Sequence, residues 1–460
     1  MFSPDTYKER REELRKLLSD GIVLFMGNTE SPFNYPANPY TFRQDSTFMY
    51  YFGLQEPDLA AIMDIDAGTE CLFGNDCTMK DIIWAGHQPT LREKAATIFM
   101  DTAQPYGTLI GILQAAQKQG RTVHYLPPYR AETKIHLSEI LGIPVALQKE
   151  KASEALIKAV VKMRMAKEPQ EVVQIETALE TCYQMHIYVM KNAKSGMMEQ
   201  ELSSAIESIA LANGGRVSFP VILSINGQIL HNNYHGNNLR DGQLLLTDAG
   251  AETSMGYACD ITRTIPVSGR FDERQKAIYN TVLQANLKGI IMSRPGVCYR
   301  DIHLAAARVI ADGLKDVGIM HGNIEDAVEQ GAHTLFFPHG LGHALGLDVH
   351  DMEGFGEDYV GYDDTIKRSK EFGLSSVRFG RKLETDFVVT VEPGIYFIPA
   401  LIDQWEAENK FPQFIDYEAL KKYHNFGGIR IEDNILITDS GCRVLGRSIP
   451  KKVEEIERMM

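Results

Sequence analysis

Four apolar stretches in the second half of the chain each enclose a lone carboxylate. They are Leu244-Leu-Leu-Thr-Asp248-Ala-Gly, Tyr257-Ala-Cys-Asp260-Ile-Thr-Arg-Thr, Val388-Val-Thr-Val-Glu392-Pro-Gly-Ile-Tyr-Phe and Gly427-Gly-Ile-Arg430-Ile-Glu432-Asp-Asn. A carboxylate on a core strand is costly unless it is paired or holds a cation. The two aspartates lie on strands that a short polar turn can join, and two carboxylates brought together repel unless a cation sits between them. Taken alone, Asp248 reads equally well as a turn or cap residue. Strand alternation puts Glu392 on one face with Val388 and Thr390. For Glu432 the plainer reading is an ion pair with Arg430, two residues back on the same face.

A fifth stretch, Phe336-Phe-Pro-His339-Gly-Leu-Gly-His343-Ala-Leu-Gly-Leu-Asp-Val-His350-Asp351, carries three histidines of the chain's 13. Glycines between His339 and His343 argue against the regular helix that a zinc HExxH site requires. One histidine here would read as packed core; three with small residues between them favour a site.

Charge then narrows the chemistry. Four carboxylates gathered in one apolar site cannot all ionise without compensation, and two divalent cations supply it, +4 against −4. Four carboxylates and one imidazole make a hard, oxygen-rich donor set. That set suits Mn²⁺, with Zn²⁺, Co²⁺ or Fe²⁺ as substitutes. Two such ions ~3.5–4 Å apart activate water and polarise a carbonyl, which is hydrolytic chemistry.

Elements must bring these segments together. Residues 168–193 and 198–213 read as helices, then 217–224, 244–249 and 256–266 as strands. Helices at 273–292 and 301–313 follow, after which the chain reads as strand- and loop-rich, with 387–397 and 428–438 the clearest strands. Helices followed by strands, twice over, hint at an internal duplication. Before them, residues 1 to about 150 alternate strands (21–26, 59–64, 70–73, 122–126) with helices (6–18, 91–99), the pattern of a small α/β domain. It has no phosphate-binding glycine loop. A charged helical stretch at 150–167 links the two parts.

A chain of 460 residues exceeds one ordinary core, so two domains are expected, residues 1–155 and 156–460. The net charge of −14 and the absence of a concentrated basic face argue against nucleic acid. The charged N-terminus, MFSPDTYKERREELRKLL, is unlike a signal peptide, and no early apolar run is long enough to span a membrane. Six scattered cysteines without a CxxC suit a reducing, cytoplasmic setting.

In order, DAG…DITRT…HGLGH…VEPG…RIED resembles the pita-bread metallopeptidases, in the branch containing aminopeptidase P and prolidase. Phe42-Arg-Gln-Asp-Ser-Thr-Phe-Met-Tyr-Tyr-Phe-Gly is similar to that branch's N-terminal signature, so the resemblance covers nearly the whole chain. It implies an α+β fold with a smaller α/β N-terminal domain before a pita-bread catalytic domain. It implies that Asp248 and Asp260 bind one metal, His343 and Glu392 a second, and that Asp260 and Glu432 bridge them. His231 matches a substrate-side histidine, His339 lines the site, and His350 would hydrogen-bond the scissile carbonyl. Arg430 would orient the carboxylates, and Glu392 would carry a proton to the leaving proline nitrogen. The expected substrate is a proline-containing peptide, and the expected assembly a homodimer.

One departure is the interval from Asp248 to Asp260, 12 positions (260 − 248), one longer than the family's usual spacing. The extra residue is expected in the hairpin turn, where it moves neither ligand; a bulge within a strand would disturb the first metal. The stretch 396–428 is similar to prolidases, and Arg378 falls where they carry an arginine that clamps the dipeptide's carboxylate. Bidentate pairing suits that task, although sequence alone would make Arg378 a surface cation. An Xaa-Pro dipeptidase is the favoured expectation, with an Xaa-Pro aminopeptidase next. An inactive pita-bread binding module is a distant third, since no ligand position is lost.

Overall fold

The computed structural model describes residues 1–460, which fold as two compact units. The first comprises Met1–Arg164 with Gly354–Tyr359, the second Met165–Glu353 with Val360–Met460. The change of unit falls near the end of the helix Glu154–Met165, rather than at 155.

In the first unit, strands β1 (Ile22–Met26), β2 (Ala60–Asp64), β3 (Thr69–Gly74), β4 (Ala103–Pro105) and β5 (Val123–His124) form one sheet in the order β4-β3-β2-β1-β5. Alternate residues Ile22, Leu24, Ala60, Ile62, Cys71 and Phe73 pack on one side against Leu109 and Leu113 of one helix and Leu137 and Ile140 of another. On the other side Phe25 meets Tyr51 and Phe52 at ring separations of 5.1 and 5.4 Å. Burial on both faces explains why these strands read as continuous apolar runs. Four helices escaped the sequence reading: Ser46–Phe52, Met79–Ala85, Leu109–Lys118 and Ala131–Leu141. Two of them, Ser46–Phe52 and Met79–Ala85, are only seven residues long, too short to show a helical period.

In the second unit the expected helices appear as Pro169–Asn192, Glu199–Ala212, Glu273–Met292 and Tyr299–Asp316. The expected strand 217–224 is split into β6 (Arg216–Val217) and β7 (Ile222–Ser224), because Pro220 has no N–H to give a ladder. Next come β8 (Leu244–Asp248), β9 (Ala251–Glu252) and β10 (Thr262–Pro266), with β8 between β10 and β7. The expected strands 387–397 and 428–438 are each broken in two. They give β11 (Val388–Val391) and β12 (Gly394–Tyr396), then β13 (Gly428–Arg430) and β14 (Asp433–Ile437), with β15 (Cys442–Val444) at the edge of β14. The C-terminal stretch expected to be strand- and loop-rich also contains the helices Pro399–Ala407 and Val453–Met459. All six cysteines are free, and no helix is long and apolar enough to cross a membrane.

Candidate active site and metal centre

The aspartates come from one uninterrupted hairpin. The register that pairs Asp248 with Thr262 continues through Ala249–Ile261, Ala251–Cys259 and the Glu252–Ala258 bridge to Thr253–Tyr257. No bulge intervenes, so the long spacing is absorbed in the Ser254–Gly256 turn, as the sequence suggested. Asp248 and Asp260 then point to the same face of the hairpin. Outer side chains complete the backbone: Cys182 Sγ and His186 Nε2 lie 3.2 and 3.1 Å from the Ala249 carbonyl. Asn434 holds the Asp260 peptide from both ends, accepting from its N–H (3.0 Å) and donating to its carbonyl (2.5 Å).

The glutamates come from the two broken strands. β11 pairs with β14 and β12 with β13 in one continuous register, and the break puts Glu392 opposite Glu432. There the glutamate N–H groups turn to other strands, Glu392 to the Leu341 carbonyl (2.8 Å) and Glu432 to the Thr262 carbonyl (3.1 Å). From beneath, Asn286 donates to the Val391 carbonyl at 2.9 Å.

His343 is set by the same strand. The segment 341–345 is irregular, as its glycines required, and runs antiparallel to β11 through Glu392–Leu341, Thr390–His343 and Leu345–Val388 bonds. A Cβ on Gly342 would stand 2.1 Å from the Thr390 carbonyl oxygen, so only glycine permits this approach. His343 Nδ1 donates to the Ala344 carbonyl (3.0 Å), which leaves Nε2 as the free donor atom. That Nε2 lies 3.4 Å from Asp260 Oδ2 and 3.4 Å from Glu392 Oε1.

These residues fit a metal centre. Ligand atoms of Asp260, His343 and Glu432 converge within 4.8 Å. Asp248 Oδ1, Asp260 Oδ1 and Glu432 Oε1 are buried without a hydrogen-bond partner, which is expensive unless a cation uses them. Burial, then the surrounding carboxylates, pushes Asp260 and Glu432 well above the usual carboxylate range. Burial also works to raise Glu392, but His343, His339 and Arg430 outweigh it and hold that group low.

The Arg430–Glu432 ion pair that was the plainer alternative is replaced by a relay. Arg430 donates through Nη2 to Asp248 Oδ2 (2.5 Å), through Nε to Thr262 Oγ1 (3.0 Å) and through Nη1 to the Tyr396 hydroxyl (2.9 Å). Thr262 in turn donates to Glu432 Oε2 at 2.7 Å, so the arginine reaches Glu432 only through a hydroxyl. Tyr396 lies 2.8 Å from His339 Nε2, and His339 Nδ1 lies 2.8 Å from the Gly340 carbonyl. Burial pushes His339 down to about 4, so it is a neutral imidazole whose Nε2 accepts the tyrosine hydroxyl's hydrogen bond.

All ten residues singled out from the sequence line one cavity of about 430 Å³: the five carboxylate and imidazole positions, His231, His339, His350, Arg378 and Arg430. Its apolar wall includes Phe219, Pro220, Ile222, Leu230 and Val349. His231 is at the exposed mouth, and Arg378 is partly buried rather than the surface cation that sequence alone favoured. Sequence reasoning passed over Thr262, Thr390, Tyr396, Asn434 and Glu353. Thr262 and Tyr396 sat inside the quoted motifs, two residues from Asp260 and four from Glu392. Glu353 carried no signal beyond its place three residues after His350.

Residues 173–439 match metallopeptidase family M24, and residues 7–125 match the aminopeptidase P N-terminal domain. The human Xaa-Pro dipeptidase is 31% identical over 98% of this chain and 91% of its own. A probable Xaa-Pro aminopeptidase of Paracoccidioides brasiliensis is 31% identical over 95% and 92%. Among solved structures, Escherichia coli aminopeptidase P with the inhibitor Pro-Leu superposes with a TM-score of 0.81 at 29% identity, covering 100% of this chain and 98% of that one. The chain belongs to metallopeptidase family M24, in the branch that holds Xaa-Pro dipeptidases and aminopeptidase P. Its fold is the α/β N-terminal domain followed by the pita-bread catalytic domain.

Proposed function

We propose that this cavity hydrolyses the peptide bond before proline and prefers Xaa-Pro dipeptides. The observation that carries the preference is Arg378, which lines the same cavity as the carboxylates. Its Nη1 is engaged by Glu353 and its Nε and Nη2 are not, leaving one edge of the fork for a substrate carboxylate. Asp248, Asp260, His343, Glu392 and Glu432 would hold two divalent ions, Mn²⁺ by donor hardness, with Zn²⁺, Co²⁺ or Fe²⁺ as substitutes. When bound, the ions supply water activation and carbonyl polarisation. Around them, Arg430 fixes Asp248, and Glu392 carries a proton to the leaving proline nitrogen. His350 donates to the scissile carbonyl, while His231 and His339 shape the substrate side.

One observation favours the second reading, an Xaa-Pro aminopeptidase acting on longer peptides. Glu353 already compensates the Arg378 charge, so the cavity tolerates a substrate without a carboxylate there. Hydrolysis of Xaa-Pro against Xaa-Pro-Yaa, with Mn²⁺ supplied, separates the two. A several-fold higher kcat/KM for the dipeptide supports the first; equal or reversed values install the second.

We further propose a homodimer. The helix Met79–Ala85 buries none of its residues, and Met79, Ile83 and Trp84 are 70%, 73% and 82% exposed, an apolar face suited to a second copy. Sedimentation tests this directly, and a monomer at micromolar concentration excludes it.

A further inference from the structure

His350 and Arg378 share a partner outside the cavity lining. Glu353 Oε2 accepts from His350 Nδ1, and Glu353 Oε1 accepts from Arg378 Nη1. Arg378 Nη1 lies 3.2 Å from His350 Nδ1, so the three side chains close a triangle. Each is about one-third exposed (32%, 32% and 36%), at the wet rim of the site.

The backbone is built to deliver this carboxylate. Met352, buried, adopts a φ of +61°, a left-handed conformation that costs roughly 1–2 kcal/mol outside glycine. The turn is anchored one residue earlier by Asp351, whose N–H donates to the Ala344 carbonyl (2.9 Å). The Asp351 carboxylate meets Lys167 at 3.1 Å with both side chains 1% exposed. The chain therefore doubles back, and the Glu353 N–H reaches the His350 carbonyl at 3.3 Å. Burial works to raise the Glu353 carboxyl, but His350 and Arg378 outweigh it and hold it down to about 2, so it is an anion at any working pH.

We propose that Glu353 is a positioning and specificity-determining residue, which holds the His350 ring in one orientation and tempers the charge that Arg378 presents to substrate. This deepens the Xaa-Pro reading and rests on it. A carboxylate at Nδ1 accepts that nitrogen's N–H and fixes the ring, so Nε2 is the nitrogen turned to the reacting carbonyl, to which it donates when the ring carries both protons. The same carboxylate cancels most of the guanidinium's field. A dipeptide carboxylate is then recognised by the fork's geometry more than by net attraction, and the amide of a longer peptide does not face a bare cation. The enzyme should discriminate between dipeptides and tripeptides less sharply than a lone arginine would.

The test compares Glu353→Gln and Glu353→Ala with the wild type, all loaded with Mn²⁺, on one Xaa-Pro dipeptide and one Xaa-Pro-Yaa tripeptide. Gln keeps an acceptor for Nδ1 but removes the charge; Ala removes both. Expected for Gln is a kcat lower by about tenfold on both substrates, with a larger loss for Ala. The Gln variant should also lower the dipeptide KM by roughly three- to tenfold and leave the tripeptide KM within about twofold. Unchanged thermal unfolding and metal content would exclude a folding defect. If kcat stays within about twofold on both substrates, the His350 role is overturned; if the ratio of the two KM values does not move, the Arg378 role is overturned. Failure of the dipeptidase reading looks different: the wild type itself shows no dipeptide preference, while the kcat losses at Glu353 persist.

Discussion

Glu392 and Glu432 stand directly opposite each other on neighbouring antiparallel strands, at the one place where both strands leave their shared ladder. Two carboxylates in that position would repel. The break frees their peptide N–H groups for Leu341 and Thr262, which ties the pair to the histidine segment on one side and the aspartate hairpin on the other. The site is a junction of three strand pairs, with one or two candidate ligands from each.

That junction predicts how metal binding fails. Asp260→Ala should remove both ions and essentially all activity, because Asp260 sits within reach of both His343 and Glu432. Elemental analysis checks it, and two tightly bound ions in the variant would sink the ligand assignment. His350→Ala should lower turnover and leave the metal in place.

Thr262→Val keeps the side chain's size and removes the hydroxyl that joins Arg430 to Glu432. Metal affinity or activity should fall about 10- to 100-fold, the usual cost of losing an outer partner of a ligand. A chelator competition titration reads this, and an unchanged affinity would mean that the relay is idle.

Arg378→Ala should weaken dipeptide hydrolysis far more than tripeptide hydrolysis. A lost charge-assisted contact costs roughly 1.5–3 kcal/mol, or about ten- to a hundredfold in kcat/KM. Equal losses on both substrates would favour the aminopeptidase reading.

Stability should fall in acid for a reason separate from the metals. Burial pushes His303 down to about 3 and His333 down to about 4, while the unfolded chain takes up these protons near ~6.5. Between those values the folded state binds fewer protons. Their full contribution is therefore present above ~6.5 and is lost as pH falls toward 4, at up to about 1.4 kcal/mol per pH unit for each group. His333→Gln should flatten the fall of Tm between pH 6.5 and 4 relative to wild type at the same metal loading; a parallel curve would contradict it.

The Lys167–Asp351 pair offers a control on the His350 turn. Removing one partner of a fully buried ion pair costs roughly 3–5 kcal/mol, so Asp351→Ala should lower the unfolding midpoint substantially. Denaturant unfolding measures it, and a loss below about 1 kcal/mol would mean that the turn is held by other contacts.

Much of the site was legible in the sequence because its ligands are exceptions to local rules. A carboxylate inside an apolar strand is conspicuous by itself, and four of them in order, with a histidine among glycines, point to a cation site. The hairpin also announced its own geometry, since period-two alternation and a polar turn place Asp248 and Asp260 on one face. The breaks in the glutamate strands were not legible. Residues 387–397 and 428–438 read as unbroken β runs; Pro393 has no N–H and helps to break the first, while the matching interruption at Glu432 comes from the neighbouring strand that claims its N–H. Partner choice was equally hidden: the plainer alternative paired Arg430 with Glu432, two residues along its own strand, yet it pairs with Asp248, 182 residues distant. Glu353 illustrates the same limit, because its role depends on a left-handed Met352 and on an arginine 25 residues further along. Sequence determines which residues are chemically out of place in a core. Tertiary structure decides which of them meet, because hydrogen-bond partners across strands are set by register and packing that no local pattern encodes.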